Sequence, residues 1–157
     1  MIWRICPSER KLEEKCGHTG EGGRMMALFG WFRKEEELPV ADQKWNKMWE
    51  LWVDEKAESP YAELMSYDSE VNNGGHSQYF FNTANCADLK PSAEILLKTL
   101  PEPLLSNFRK AYEAFSGQED ICDDENDELF DACDDTFGEY EQLVLDMLAA
   151  YAESITL

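Results

Sequence analysis

Apolar residues from about position 40 onward recur at intervals of three and four, the spacing that places side chains along one side of an α-helix. The first such stripe consists of Trp45, Met48, Trp49, Trp52 and Val53. The spacing returns after Pro60, Pro91 and Pro103, and proline is well accepted in the first turn of a helix. It is most regular in the last helix, whose stripe is Tyr140, Leu143, Val144, Met147, Leu148, Tyr151 and Ile155. No stretch alternates as a half-buried strand does. The predicted fold is therefore all-α: a single compact domain of about six or seven short helices.

A sharp corner between two helices is predicted for VNNGGHSQYFFN, residues 71–82. Gly74 or Gly75 can adopt the left-handed conformation that ends a helix, and the next helix is expected to start near His76. A phosphate-binding loop would need a preceding strand and the spacing GxxxxGKS, GxxxxGKT or GxGxxG, which this segment lacks. The segment is therefore interpreted as structural.

One polar strip is expected on the helix after the corner, formed by Gln78, Asn82 and Asn85. Gln78 and Asn82 are interpreted as partners for backbone groups of the corner. Asp68 falls on the apolar side of the preceding helix and is a candidate buried acid. A ligand-binding or catalytic use of this strip together with Asp68 is the alternative to a structural role.

The charge of the chain is strongly negative and unevenly distributed. The formal net charge is −19, yet residues 1–37 contain as many basic as acidic residues, so the excess lies in residues 38–157. Such a surface repels nucleic acid and anionic lipid and attracts basic proteins. No apolar run approaches the roughly 20 residues of a membrane span. The cysteines are odd in number and include no CxxC pair, so a cytoplasmic protein with reduced thiols is expected.

Residues 1–39 are predicted to be a disordered N-terminal extension, followed by an acidic helical domain at residues 40–157. Residues 1–24 are a candidate for a mis-assigned translation start, because Gly22-Gly23-Arg24 before Met25 can be encoded by a purine-rich ribosome-binding sequence. A genuine tail is the alternative.

The corner also carries a family resemblance. Its motif reads Asn73-Gly74-Gly75-x-x-Gln78-Tyr79-x-x-Asn82, preceded by Glu70. With the helices that follow, roughly residues 40–155 resemble the DNA-mimic protein (DMP)-like domain family, which is acidic, all-helical and bacterial. The family's named member is a dimer whose acidic surface resembles DNA and occupies a transcription factor. The resemblance implies the same fold and makes a homodimer an expectation; exposure of Trp31, Trp49 or Trp52 would indicate its face. Because the motif lies at the corner, mimicry has to be argued from other residues.

The acidic segment QEDICDDENDELFDACDDTFGEYE, residues 118–141, is the candidate binding surface. On a helix, residues 126–137 gather Leu129, Phe130, Cys133 and Phe137 on one side and carboxylates on the other. The predicted partner-binding acidic face consists of Glu119, Asp120, Asp123, Asp124, Glu125, Asp127, Glu128, Asp131, Asp134, Asp135 and Glu139. Neighbouring carboxylates on such a face lie ~5–6 Å apart, a distance of the same order as the spacing of DNA phosphates. A basic DNA-binding protein or a nuclease could accept this face. A solvated face that only improves solubility is the alternative.

Neither a metal, nor a cofactor, nor a catalytic site is predicted. The acidic residues between 120 and 127 could bind calcium, but the EF-hand pattern with its central glycine is missing. His76 is interpreted as a surface or helix-start residue. A catalytic pair of His76 and Cys86 is not expected, because Cys86 would lie ~15 Å further along the helix, too far for a hydrogen bond. The predicted function is a non-catalytic acidic binding protein, a DNA mimic that occupies a basic DNA-binding protein. The alternatives are a helical ligand-binding or catalytic domain built on Gln78 and Asn82, and an immunity-type inhibitor of a basic toxin.

Overall fold

Five helices make up the described part of the chain. The computed structural model describes residues 38–85, 89–117 and 126–157. The helices are α1 Val40–Val53, α2 Tyr61–Asn85, α3 Leu89–Thr99, α4 Leu104–Gly117 and α5 Asp127–Ser154. No strand occurs within these three ranges, which confirms the all-α class.

The described helices are fewer than the six or seven predicted, for two reasons. α2 continues through the predicted corner with only Gly74 and Gly75 outside helical geometry, so two predicted helices are one bent element. α5 runs through Gly138, where the sequence predicts one helix up to residue 137 and another from Tyr140. Glycine inside a helix costs only about 0.5–1 kcal/mol, and the apolar stripe continues on both sides of it. Packing therefore keeps α5 in one piece.

α5 is the central element, since it packs against α1, α2 and α4. Its buried residues are Phe130, Cys133, Phe137, Val144, Leu148, Tyr151 and Ala152. The other members of the predicted stripe, Tyr140, Leu143, Met147 and Ile155, are partly buried against the same core. Burying each large apolar side chain stabilises the fold by roughly 1.5–3 kcal/mol. The stripe therefore decides which side of α5 faces solvent.

An aromatic cluster centred on Tyr67 fills the core. Its ring packs edge to face on Tyr79 and Phe108 at centroid distances of 5.2 Å, and on Phe137 at 5.3 Å. These partners come from the second segment of α2, from α4 and from α5. Edge-to-face pairs contribute beyond their buried area. Tyr67 thus joins the three elements that surround the corner.

The tryptophans of α1 were expected to mark a dimer face if exposed. Trp52 is only 7% exposed and donates its indole N–H to Ser66 Oγ at 3.0 Å, so it is a core residue. Trp49 is half-buried and packs edge-on against Trp52. Trp31 lies outside the described residues. Among the described helices, none combines the length and the apolar character of a membrane-crossing segment.

Candidate functional site

Two carboxylates hold the corner of α2. Glu70, before the corner, accepts hydrogen bonds from Gln78 Nε2 at 2.9 Å and Asn82 Nδ2 at 2.7 Å, which ties the two segments of α2 together. Asp134 of α5 accepts the backbone N–H of His76 at 2.8 Å. That N–H lies in the first turn of the second segment, where backbone donors lack a partner within the helix and negative charge is favoured. The prediction that Gln78 and Asn82 bind backbone groups is wrong, because both amides donate to Glu70.

Gly75 makes the corner possible. Its φ of 78° and ψ of −178° lie in a region that other residues rarely adopt. A Cβ at this position would also collide with the Asp134 carboxylate. A Cβ at Gly74 would instead meet the side chain of Gln78, which the hydrogen bond to Glu70 holds in place. The predicted left-handed glycine is confirmed at Gly75.

A chain of hydrogen bonds runs from the half-buried Asp134 through the buried His76 to the buried Tyr67. Asp134 Oδ1 lies 2.5 Å from His76 Nδ1, and His76 Nε2 lies 2.8 Å from the Tyr67 hydroxyl. In the tautomer whose Nδ1–H is donated to the Asp134 carboxylate, Nε2 can accept from the Tyr67 hydroxyl. His76 starts the second segment as predicted, but it is completely buried instead of lying on the surface.

The order carboxylate, imidazole, hydroxyl is also that of a hydrolase triad. In a triad the hydroxyl has to meet the substrate, whereas Tyr67 and His76 are both 0% exposed. Burial also raises the pKa of Tyr67 well above its usual value, so the hydroxyl stays protonated. In this arrangement the three residues lock α2 to α5.

Asp68 is the buried acid that the apolar pattern predicts. It is 6% exposed, and burial followed by the negative charge of Glu141 raises its pKa to about 6. Asn72 Nδ2 lies between the two carboxyls, 2.8 Å from Glu141 Oε1 and 3.4 Å from Asp68 Oδ1. Asn72 thus bridges α2 and α5. None of the ion pairs among the described residues includes Asp68.

We expect Asp68→Asn to stabilise the protein at pH 7.5 and to have little effect near pH 4. The folded protein holds the Asp68 proton up to pH about 6, whereas the unfolded chain releases it near 3.8, so wild-type stability falls as pH rises through this window. Asparagine removes the charge, and the gain above pH 6 should be about 2 kcal/mol. Urea denaturation at several pH values measures it. A difference between the two proteins that does not change with pH would contradict this role of Asp68.

The acidic side of α5 keeps most, but not all, of its predicted members. Asp127, Glu128, Asp131, Asp135 and Glu139 are exposed, opposite the buried stripe, and Asp146 continues the row. Asp134 departs from the prediction, because it turns inward to His76. It lies four residues after Phe130 and three before Phe137, at the border of the apolar stripe, where the α2 corner meets it. Glu119, Asp120, Asp123, Asp124 and Glu125 lie outside the described residues, as does Cys86.

Two lysines of other helices lie near α5, but neither is in an ion pair with its exposed carboxylates among the described residues. Lys110 of α4 lies near enough to Cys133 to oppose the rise in the pKa of that thiol, which burial causes. Lys44 of α1 donates to the Glu153 carbonyl at 2.5 Å, near the end of α5. We define the α5 acidic face as Asp127, Glu128, Asp131, Asp135, Glu139 and Asp146. Within the described ranges, no group of three or more His, Cys, Asp and Glu side chains is arranged to hold a metal ion.

A family model described as DMP19-like protein matches residues 55–155, which is more than half of the chain. The chain belongs to the DMP19-like protein family. This confirms the resemblance found in the corner motif, although the match begins after α1 instead of near residue 40. Neither the curated proteins nor the solved structures that were searched include a match.

Besides the contacts of Asp134, His76 and Tyr67, the sequence analysis did not predict two further contacts of this DMP19-like protein. The role of Glu70 as the acceptor for Gln78 and Asn82 needs the two segments of α2 to fold back on each other. The contact between Asn72 and Glu141 joins residues 69 positions apart. Glu141 follows Asp134 by seven residues and lies on the same side of α5, so this contact could be expected only once Asp134 is known to face the corner.

Proposed function

We propose that this DMP19-like protein is a non-catalytic acidic binding protein, and that its α5 acidic face occupies the DNA-binding surface of a basic protein. The observation that carries the proposal is the ordered row of exposed carboxylates on one side of a single helix of 28 residues. From Asp127 to Asp146 the α5 acidic face extends over about 29 Å of this helix. It therefore offers fixed negative charges over the length of a short DNA-binding groove.

Rigidity distinguishes this face from an acidic tail. The opposite side of α5 is buried along almost its whole length, so the backbone that carries the carboxylates is held by the core. Ordered charges need little further ordering when a partner binds, whereas a flexible tail has to lose conformational entropy. Complementary charge also accelerates association with a basic surface.

The charges available favour a basic protein over nucleic acid as the partner. α5 contains no Lys or Arg, and the cations of α1, α3 and α4 are few, so duplex DNA would be repelled. The proposal places the protein in the bacterial cytoplasm, where DNA-binding proteins and nucleases are present. An immunity-type inhibitor of a basic toxin would use the same face with a different partner.

Charge reversal of Asp127, Asp131 and Asp135 to Lys should abolish partner binding while the fold persists. All three side chains are exposed, so their replacement removes no described core contact. The matched control reverses Asp42, Glu94 and Glu113, which are exposed on α1, α3 and α4 and change the net charge equally. Circular dichroism and urea denaturation check that both variants fold.

The binding assay has two stages. A pull-down from bacterial lysate with the wild type, the α5 variant and the control identifies partners that only the α5 variant loses. Each purified partner is then loaded with fluorescent duplex DNA and titrated with the protein. We expect DNA release by the wild type and the control, at least about tenfold weaker release by the α5 variant, and weaker binding as salt rises. Equal release by the α5 variant and the wild type would refute the proposal.

A further inference from the structure

Asn73 is the last helical residue of the first segment of α2, and Gly74 follows it. Both residues are exposed. Gly74 leaves helical geometry, with a φ of −165° and a ψ of 25°. No other asparagine of the chain precedes a glycine. The backbone nitrogen of a residue without a side chain therefore follows an asparagine amide at an exposed helix end.

The side chain of Asn73 is not held in place, in contrast to that of its neighbour. Asn72 Nδ2 donates to the Asp68 carbonyl at 3.0 Å and to Glu141 Oε1 at 2.8 Å. The Asn73 amide takes part in none of the hydrogen bonds of the described residues. Asn73 can therefore turn its amide toward the backbone that follows, whereas Asn72 is fixed between two helices.

The corner requires glycine at position 74. A Cβ there would collide with the side chain of Gln78, which its hydrogen bond to Glu70 holds in place. A side chain on the residue after an asparagine hinders the approach of that residue's backbone nitrogen to the asparagine amide, and glycine has none. The packing of the corner thus keeps the least hindered residue directly after Asn73.

The end of the helix also lets the peptide bond between Asn73 and Gly74 rotate. In the middle of a helix such a rotation would break the helical geometry on both sides. Here the helical geometry is already interrupted at Gly74 and Gly75, so the first segment can open from its last residue. Opening at a helix end costs little free energy compared with unfolding of the whole domain.

We propose that Asn73 is a site of spontaneous deamidation. The Gly74 backbone nitrogen attacks the Asn73 side-chain carbon Cγ and gives up its proton, the Cγ–Nδ2 bond breaks, and the amide leaves as ammonia. The product is a cyclic imide of the two residues. Water then opens the ring: cleavage at Cγ gives aspartate, and cleavage at the Asn73 backbone carbonyl gives isoaspartate, in which the main chain runs through the side-chain carbon.

The isoaspartate product should weaken the corner. Hydrogen bonds of 2.9 Å and 2.7 Å join Glu70 on one side of Asn73 to Gln78 and Asn82 on the other. Isoaspartate inserts one more atom into the main chain between these partners and shifts their register, whereas aspartate only adds a charge. The inference goes beyond the proposed function and does not depend on it, since no residue of the α5 acidic face takes part.

Ageing of the full chain in warm, mildly alkaline buffer tests the site. Cleavage after Glu70 and Glu94 by a glutamate-specific protease releases residues 71–94, which hold Asn72, Asn73, Asn82 and Asn85 in one peptide. Mass spectrometry locates the conversion of amide to acid, and an isoaspartate methyltransferase labels the isoaspartate. We expect Asn73 to react at least about tenfold faster than each of the other three. A similar rate at all four positions would contradict the proposal.

The chain unfolded in guanidinium chloride measures how fast Asn73 reacts without the fold. The folded protein should react within about a hundredfold of that rate, because a helix end opens readily. Stronger protection would show that the helix holds the Asn73 peptide bond and would overturn the proposal. Asn73→Gln should abolish the reaction at this position, because glutamine has to form a larger ring. Asn46→Gln, an exposed change on α1, should leave the rate at Asn73 unchanged.

Ion-exchange chromatography separates the aged forms, since deamidation adds a negative charge. The isoaspartate fraction should unfold at a lower urea concentration than the wild type, while Asn73→Asp, which gains the charge without the longer main chain, should stay close to it. Equal midpoints for the isoaspartate fraction and the wild type would refute the effect on the corner.

Discussion

Gly75→Ala is expected to destabilise the protein by about 3 kcal/mol, a loss large enough to unfold many marginally stable domains. The backbone at Gly75 has a φ of 78°, which costs any residue with a Cβ. The new methyl group would also strike the Asp134 carboxylate. Relief of that clash requires Asp134 to move, which breaks its hydrogen bonds to His76. Urea denaturation, read by circular dichroism, measures the loss.

Gly138→Ala is the matched control and should change stability in the opposite direction. Gly138 lies on the exposed side of α5, and a Cβ there meets nothing within 4 Å. Alanine restricts the unfolded chain more than glycine and favours helix, so we expect a gain of about 0.5–1 kcal/mol. A loss below about 1 kcal/mol for Gly75→Ala would show that the corner can relax and that the left-handed glycine is dispensable.

Most of the fold follows from the spacing of apolar residues, because each helix packs the same side against the core along its whole length. The stripe of α5 predicts its buried residues from Phe130 to Tyr151, and packing then carries the helix through Gly138. The apolar stripe of α2 likewise places Asp68 inside, and the structure confirms its burial. Periodicity works here because it records which side chains face the core.

Periodicity cannot predict which residues stabilise the corner of α2. Its glycine pair indicates a sharp bend, but the residues that satisfy the bend are set by where the chain returns. Asp134 reaches His76 across 58 positions, and the pattern cannot distinguish it from Asp135 next to it, since both are acidic and adjacent. Only the docking of α5 on α2 makes Asp134 a half-buried partner of His76 and leaves Asp135 in solvent.

Carboxylates of α5 can therefore be assigned to partner binding only after those that contact other helices have been identified and excluded from the list. Asp134 holds α2, while Asp131 and Asp135 extend into solvent on the same helix. A charge-reversal experiment that includes Asp134 would combine loss of folding with loss of binding. The structure thus sharpens the functional test as well as the list of candidate residues.

Asp134→Ala is expected to cost about 3 kcal/mol, whereas Asp135→Ala should change stability by no more than about 0.5 kcal/mol. Without the Asp134 carboxylate, the backbone N–H of His76 and its Nδ1–H both lose their acceptor in a buried place. Asp134→Asn keeps one acceptor oxygen and should lose about half as much. The same urea measurements compare the three variants.

The two neighbouring aspartates should separate stability from binding. Asp135→Ala is expected to fold like the wild type and to weaken release of DNA from the partner, because its carboxylate belongs to the α5 acidic face. Asp134→Asn should weaken the fold while its release of DNA stays close to that of the wild type under folding conditions, because its side chain faces the corner. Equal loss of stability from both alanine variants would mean that Asp134 contributes no more than a solvated charge, and α2 would then be held at its corner by Glu70 and the aromatic core alone.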